Sequence, residues 1–243
     1  MMLEGSVTTE SESQPEDRIE RRKLISRIYT IVIVQLILCL VIVFAVNINA
    51  NVRELLYDKL WIGYIFCIAG ICFYIPLICF ESVRRLFPVN WILLISMTLC
   101  YSIFGAILCV LHELYVVFFS ILGTMWILVV MTIFARCTKI DFARPFVGMS
   151  FCVSFVAFLL LGLIVNVISI SVPIPLIHLL FSGVVVITLS SYIVFVTQLI
   201  AGGKMCEIKP NETVFGVVIL YTTVVQIFMH VLNIVGACFG ENG

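Results

Sequence analysis

Charge is what this sequence has least of. Asp, Glu, Lys and Arg make up only 12% of its 243 residues, about half the roughly 25% of a soluble domain. None of the 14 acids and none of the 14 bases lies deep in an apolar run. Histidine is scarce too, at three residues, and no Cys-x-x-Cys pair occurs. Nothing therefore suggests the three or four convergent ligands of a zinc site. A His-Glu-x-x-His string and a paired-aspartate site are both absent, which removes two routes to a membrane protease. No run alternates apolar and polar residues with period two, which argues against a barrel. What is abundant is apolar surface, 63% of the residues, more than one water-soluble core of this length can hide. Composition thus excludes an ordinary soluble enzyme, a nucleic-acid binder and a disordered chain. The expected fold class is an all-α multi-pass membrane protein without enzymatic activity.

A helix needs about 20 apolar residues to cross a hydrocarbon core. Seven runs qualify, at roughly 28–46, 60–80, 91–111, 115–134, 146–170, 174–201 and 213–237. The fifth and sixth are separated only by Ser171–Pro175, where Pro173 and Pro175 favour a turn. The first run is longer than the apolar core of a signal peptide and reads as an uncleaved span. The expected organisation is a disordered polar tail over 1–26, a seven-helix domain over 27–238 and a short tail over 239–243. Of ten cysteines, only Cys137 and Cys206 fall in polar connections. The others read as small apolar packing residues.

The scarce charges set a direction. With the N-terminus in the cytosol, 12 bases fall on the cytosolic side: Arg18, Arg21, Arg22, Lys23 and Arg27 in the tail, and Arg84, Arg85, Arg136, Lys139, Arg144, Lys204 and Lys209 in connections. Only Arg53 and Lys59 fall opposite. That split follows the positive-inside rule and puts the C-terminus in the lumen or outside. It argues against a G-protein-coupled receptor, whose ends are reversed. The Asn211-Glu212-Thr213 glycosylation string then lies in the cytosol, unmodified.

Polar residues inside the runs are the next signal. In the seventh, Thr222, Thr223, Gln226, His230 and Asn233 step by about three and four, which places them on one helical face. The sixth repeats this more weakly with Thr188, Ser191 and Gln198. Such a stripe is expected to face the bundle interior rather than lipid. Interhelical hydrogen bonding is favoured over a conduction path, since no charge of the kind that marks ion pathways is present. His178 and His230 read first as packed, neutral side chains.

Several segments, in order, resemble the Bax-inhibitor/Lifeguard (TMBIM) family. They are Arg27-Ile28-Tyr29 with Gln35, and Cys79-Phe80-Glu81-Ser82-Val83-Arg84-Arg85 followed by Pro88-Val89-Asn90. Further along come Thr138-Lys139-Ile140-Asp141-Phe142, Thr197-Gln198-Leu199-Ile200-Ala201-Gly202-Gly203-Lys204, and Leu220-Tyr221. The resemblance covers about 24–237. It implies seven helices with the seventh central. It implies residence in the endoplasmic reticulum or Golgi, or else the plasma membrane. It also implies passive calcium leak, calcium homeostasis and suppression of cell death. Calcium would be the transported ion rather than a bound cofactor, and the partners would be the lipid bilayer and membrane or apoptosis-related proteins, not nucleic acid.

The family carries one intramembrane aspartate on the sixth span and one on the seventh, a pair that shares protons and so responds to pH. Here the first position holds Val196 and the second Thr223, and the family's Asn three residues on is Gln226. The fold is expected to survive, because removing both buried charges removes their desolvation cost. The aspartate gate is not expected. Thr197, Gln198, Thr222, Gln226, His230 and Asn233 remain as candidate polar lining. Asp141, Arg84 and Arg85 remain as charges at the cytosolic edge. Asp141 has two readings, the surviving acidic site or a loop residue paired with Arg136, Lys139 or Arg144.

Overall fold

The computed structural model describes residues 7–144, 150, 175–202, 208–209 and 212–239. These residues form eight helices and no strand. They are α1 (Val7–Ile48), α2 (Ala50–Tyr57), α3 (Trp61–Cys79), α4 (Glu81–Arg85), α5 (Val89–Val110), α6 (Leu114–Cys137), α7 (Pro175–Ala201) and α8 (Thr213–Phe239). Six are long and apolar enough to cross a membrane: α3, α5, α6, α7, α8 and the Ile19–Ile48 part of α1. They correspond to the first four, the sixth and the seventh apolar runs. The fifth run, 146–170, lies outside the described residues apart from Ser150. Lys204, Asn211, Cys152 and Cys206 lie outside them too.

Local chemistry explains several boundaries. Gly202 takes φ +70, a conformation open to glycine, and its N–H donates to the Gln198 carbonyl at 3.0 Å, which closes α7. The Asn49 side chain accepts from the Val52 N–H at 3.4 Å and starts α2. That short helix buries none of its residues. Its exposed Leu55 and Tyr57 sit beside exposed Trp61 and Tyr64, the residue types that anchor at a membrane interface. The first helix begins at Val7, so the polar segment expected as a disordered tail continues the first span as helix. Its packed part starts before the apolar run does, because Leu24 is buried in the core cluster together with Ile28 and Val32.

The last helix is the hub. α8 packs against α1, α3, α5, α6 and α7. Its most apolar stretch is 72% buried, against 17–56% for the other five spans, although it is the least apolar of the six. Helices with polar side chains gain most from an interior place when the surrounding solvent is lipid. Close approach is helped by Gly216, where an added Cβ would stand 2.7 Å from Ile28 Cδ1. The core joins Leu24 and Ile28 of α1, Leu77 of α3, Met97 of α5, Val196 and Ile200 of α7, and Val217 to Tyr221 of α8. Connections alternate between two ends. One, the basic end, holds Arg21, Arg84, Arg85, Glu212 and the Thr138–Ala143 connection; the other holds Arg53, His112 and the end of α8.

A neutral interior with a charged rim

The two positions at which the family resemblance implies acids are both deep in the bundle. Val196 on α7 is 0% exposed and Thr223 on α8 is 1% exposed. The Thr223 hydroxyl donates to its own helix, to the Ile219 carbonyl at 2.7 Å. Thr222 does the same, to Val218 O at 2.7 Å and Ile219 O at 3.2 Å. A hydroxyl bonded back one turn is satisfied without offering its proton to a neighbouring helix or an ion. Nothing that titrates stands at either position.

Gln198 is a clamp, not a lining residue. Its Oε1 accepts from the Phe142 N–H at 2.8 Å, while Nε2 donates to Ile140 O at 3.0 Å and Ala135 O at 3.3 Å. One side chain thus ties the end of α6 and the connection after it to α7. Thr197 beside it is buried, and its hydroxyl has no hydrogen-bond partner among the described residues.

The expected interior stripe of α8 divides along its length. Thr222 and Thr223 are enclosed, Gln226 and His230 are half-buried, and Asn233 is exposed. Helices that cross at an angle cover a given face over only part of its run. His230 Nδ1 lies 3.4 Å from Ser182 Oγ, and its ring meets Phe181 edge-on at 5.7 Å. The weaker stripe of α7 is displaced. Ser191 is exposed and Thr188 half-buried, while Ser182, Ser190, Thr197 and Gln198 are buried. Gln198 is covered because the Thr138–Ala143 connection crosses over it.

A second polar group was not read from the sequence as a group, although Gln35 and Tyr221 were named there for the family resemblance. Gln35 of α1 donates to Thr98 Oγ1 of α5 at 2.6 Å. The hydroxyls of Thr98 and Ser102 each bond back one turn, to Leu94 O and Thr98 O at 2.7 Å. The Tyr221 hydroxyl of α8 lies 3.4 Å from both Ser102 Oγ and Thr98 O. The ladder joins three helices through neutral groups. Its signal was the four-residue spacing of Thr98 and Ser102 in an otherwise apolar run.

The charges gather at the rim. Arg84 and Arg85, in the connection after α3, converge on Glu212, the residue before α8, at 3.9 and 3.4 Å. Arg85 also pairs with Glu81 one turn back. The Arg84 guanidinium lies 4.3 Å from the centre of the Phe215 ring, a cation–π contact. Arg84 and Glu212 side chains are only 12% and 14% exposed. Nearby, Arg21 Nη1 donates to Ile208 O at 2.7 Å, and its guanidinium lies against Gly202 where a Cβ would clash. The α7–α8 connection is therefore held from α1 and from the α3–α5 connection. Glu212, read from sequence only as part of a glycosylation string, is the acid that organises this rim. Asp141 is not part of it: its Oδ1 accepts from the Ala143 N–H at 3.0 Å, a local turn. The ion pairs among the described residues do not include Asp141.

At the opposite end Arg53 donates to His112 O at 3.2 Å and pairs with Glu113 at 3.9 Å. The His112 ring lies against Gly236 of α8, where an added Cβ would stand 2.5 Å from it. Burial holds the His112 ring below the ordinary histidine range. Among the described residues no three His, Cys, Asp or Glu side chains converge as a metal site would require.

The sequence has counterparts among known proteins. A family model described as "Inhibitor of apoptosis-promoting Bax1" matches residues 21–240. "Protein lifeguard 3" of Mus musculus is 27% identical over 222 residues, 91% of this chain and 71% of that protein. "Protein lifeguard 3" of Homo sapiens is 25% identical over 221 residues, 91% of this chain and 70% of that protein. The family match spans the central helix, the rim and the interior alike, and the chain belongs to the Bax-inhibitor (TMBIM) family of membrane proteins.

Proposed function

We propose that this protein is a calcium-handling, apoptosis-suppressing member of its family that works without the aspartate pH gate. The observation that carries the reading is the pair of positions Val196 and Thr223, enclosed in the α7–α8 interior and unable to titrate. Calcium takes oxygen ligands, usually including carboxylates. Here the interior holds neutral hydroxyls and amides, while the acids Glu81 and Glu212 are at the rim, paired with arginines. Leak activity, if retained, is expected to be insensitive to protonation in the membrane interior. The charge split supports a cytosolic N-terminus, and with it a cytosolic Arg84–Glu212 rim. Family resemblance favours the endoplasmic reticulum or Golgi.

Calcium flux into proteoliposomes, measured from pH 6 to 8, tests the proposal. The expected result is flux above empty vesicles that changes little with pH. A steep pH dependence overturns the loss of the gate. Installing both acids, Val196→Asp with Thr223→Asp, is expected to create pH dependence.

A second reading is favoured by the packing. Val196 of α7 packs in one apolar cluster with Val217, Val218, Ile219 and Val224 of the hub helix. The crevice between α1, α6 and α8 is walled by Leu36, Leu40, Met125 and Phe228. Such packing supports a non-conducting scaffold that modulates cell death through protein contacts. No flux above empty vesicles at any pH selects it.

A further inference from the structure

The outer face of α1 changes chemistry along its length. Buried positions recur as Leu24, Ile28, Val32, Gln35, Cys39 and Val43, a continuous inward stripe. The opposite face carries exposed Ile33, Val34, Ile37, Leu38 and Val41 in its upper part. Below Thr30 the same face carries exposed Arg22, Lys23 and Arg27. Apolar residues thus give way to basic ones at one level. From Thr30 to Ile48 the helix rises about 27 Å, close to the roughly 30 Å of a hydrocarbon core. Arg27 then lies about 5 Å beyond the hydrocarbon edge, and Lys23 and Arg22 about 10–12 Å beyond it, within reach of headgroups for long side chains.

The neighbouring cations are engaged inside the protein: Arg21 with Ile208 O, Arg84 and Arg85 with Glu212. Arg22, Lys23 and Arg27 make no hydrogen bond or ion pair among the described residues. The acid beside them on the described part of this face is the exposed Glu20, one negative charge against three positive. We propose that Arg22, Lys23 and Arg27 form a binding surface for the phosphate-bearing headgroup of an anionic phospholipid, whose acyl chains lie on the Ile33–Val41 face. The surface is more than a topology signal. Through Arg21, on the same helix, bound lipid adjoins the contact that holds the α7–α8 connection.

The test uses the full chain in a non-ionic detergent, where membrane orientation does not exist and a topology signal has no effect. Native mass spectrometry counts retained dioleoyl phosphatidylserine and dioleoyl phosphatidylcholine after titration with an equal mixture. The expected result is several-fold more phosphatidylserine on the wild type, with the preference weakening at high salt. Arg22→Gln, Lys23→Gln and Arg27→Gln together are expected to bring retention down to the phosphatidylcholine level, with unchanged helical circular dichroism. Arg136→Gln with Lys139→Gln, exposed bases at the same end, are expected to keep the preference. The proposal is overturned by no preference in the wild type, by a triple variant that keeps it, or by equal loss in the second variant. It is also overturned if soluble phosphoserine displaces the lipid completely, since the site would then be one for free anions.

Discussion

The interior between α7 and α8 and the rim above it treat polarity in opposite ways. In the interior every described polar group is neutral, and the threonine hydroxyls turn back onto their own helix. At the rim, two arginines and two glutamates lie within ion-pair reach, with Arg85 and Glu81 in contact with water and Arg84 and Glu212 largely covered. The difference follows from desolvation. A lone buried charge loses several kcal/mol of hydration that packing does not return, whereas at a boundary the same charge keeps part of its solvent. Among the described residues, the charges are therefore at the rim and not in the core.

The sharpest way to break that contrast is to put one charge inside. Val196→Asp alone is expected to destabilise the protein at neutral pH by about 3–5 kcal/mol, the scale for an uncompensated buried charge. Thermal unfolding in detergent reads this, and the loss should lessen in acid as the carboxyl becomes neutral. A melting point equal to wild type would mean that the interior is hydrated.

The clamp comes next. Gln198→Leu leaves the Phe142 N–H and the Ala135 and Ile140 carbonyls without their partner, at a cost of about 1–3 kcal/mol. Limited proteolysis is expected to find new cleavage within Thr138–Ala143. At the rim, Glu212→Gln removes the acid shared by Arg84 and Arg85 and is expected to cost about 1–2 kcal/mol, partly offset by solvent. Glu81→Gln, at an exposed pair, is expected to cost less than about 1 kcal/mol. If the two variants melt alike, Glu212 is not the organiser.

The smallest effect is expected at the other end. His112 has its folded value lowered by burial, so the unfolded chain takes up the proton first. The stability it contributes is complete above the ordinary value of 6.5 and is lost as pH falls toward the folded value. Unfolding measured from pH 7.5 to 5 should show this decline, and His112→Asn should flatten it.

Much of the fold was legible from local pattern. Six of the seven apolar runs reappear as spans, because a stretch of about 20 apolar residues has few other stable states in lipid. The hub was legible in part, since the polar residues of the last run pointed inward. How far inward was not legible. Asn233 shares a helical face with Thr222 yet is exposed, because cover depends on neighbouring helices and not on spacing. Gln198 is a polar residue near a span end in sequence. Only the path of residues 138–143 makes it a three-way clamp. Glu212 was hidden for a similar reason: Arg85, which it meets, is 127 residues away.

By itself the sequence determined that this chain lives in a membrane, that its charges stay out of the long apolar runs, and that Val196 and Thr223 stand where the family resemblance implies acids. Each of these is a property of composition or of single positions, and needs no partner to be true. Tertiary structure alone decided which polar side chains are satisfied, which cations on the outer face of α1 make no ion pair among the described residues, and that two arginines meet one glutamate at the mouth of the central helix. Such facts depend on which distant segments the packing brings together. A hydrogen bond or ion pair exists only once both ends are placed.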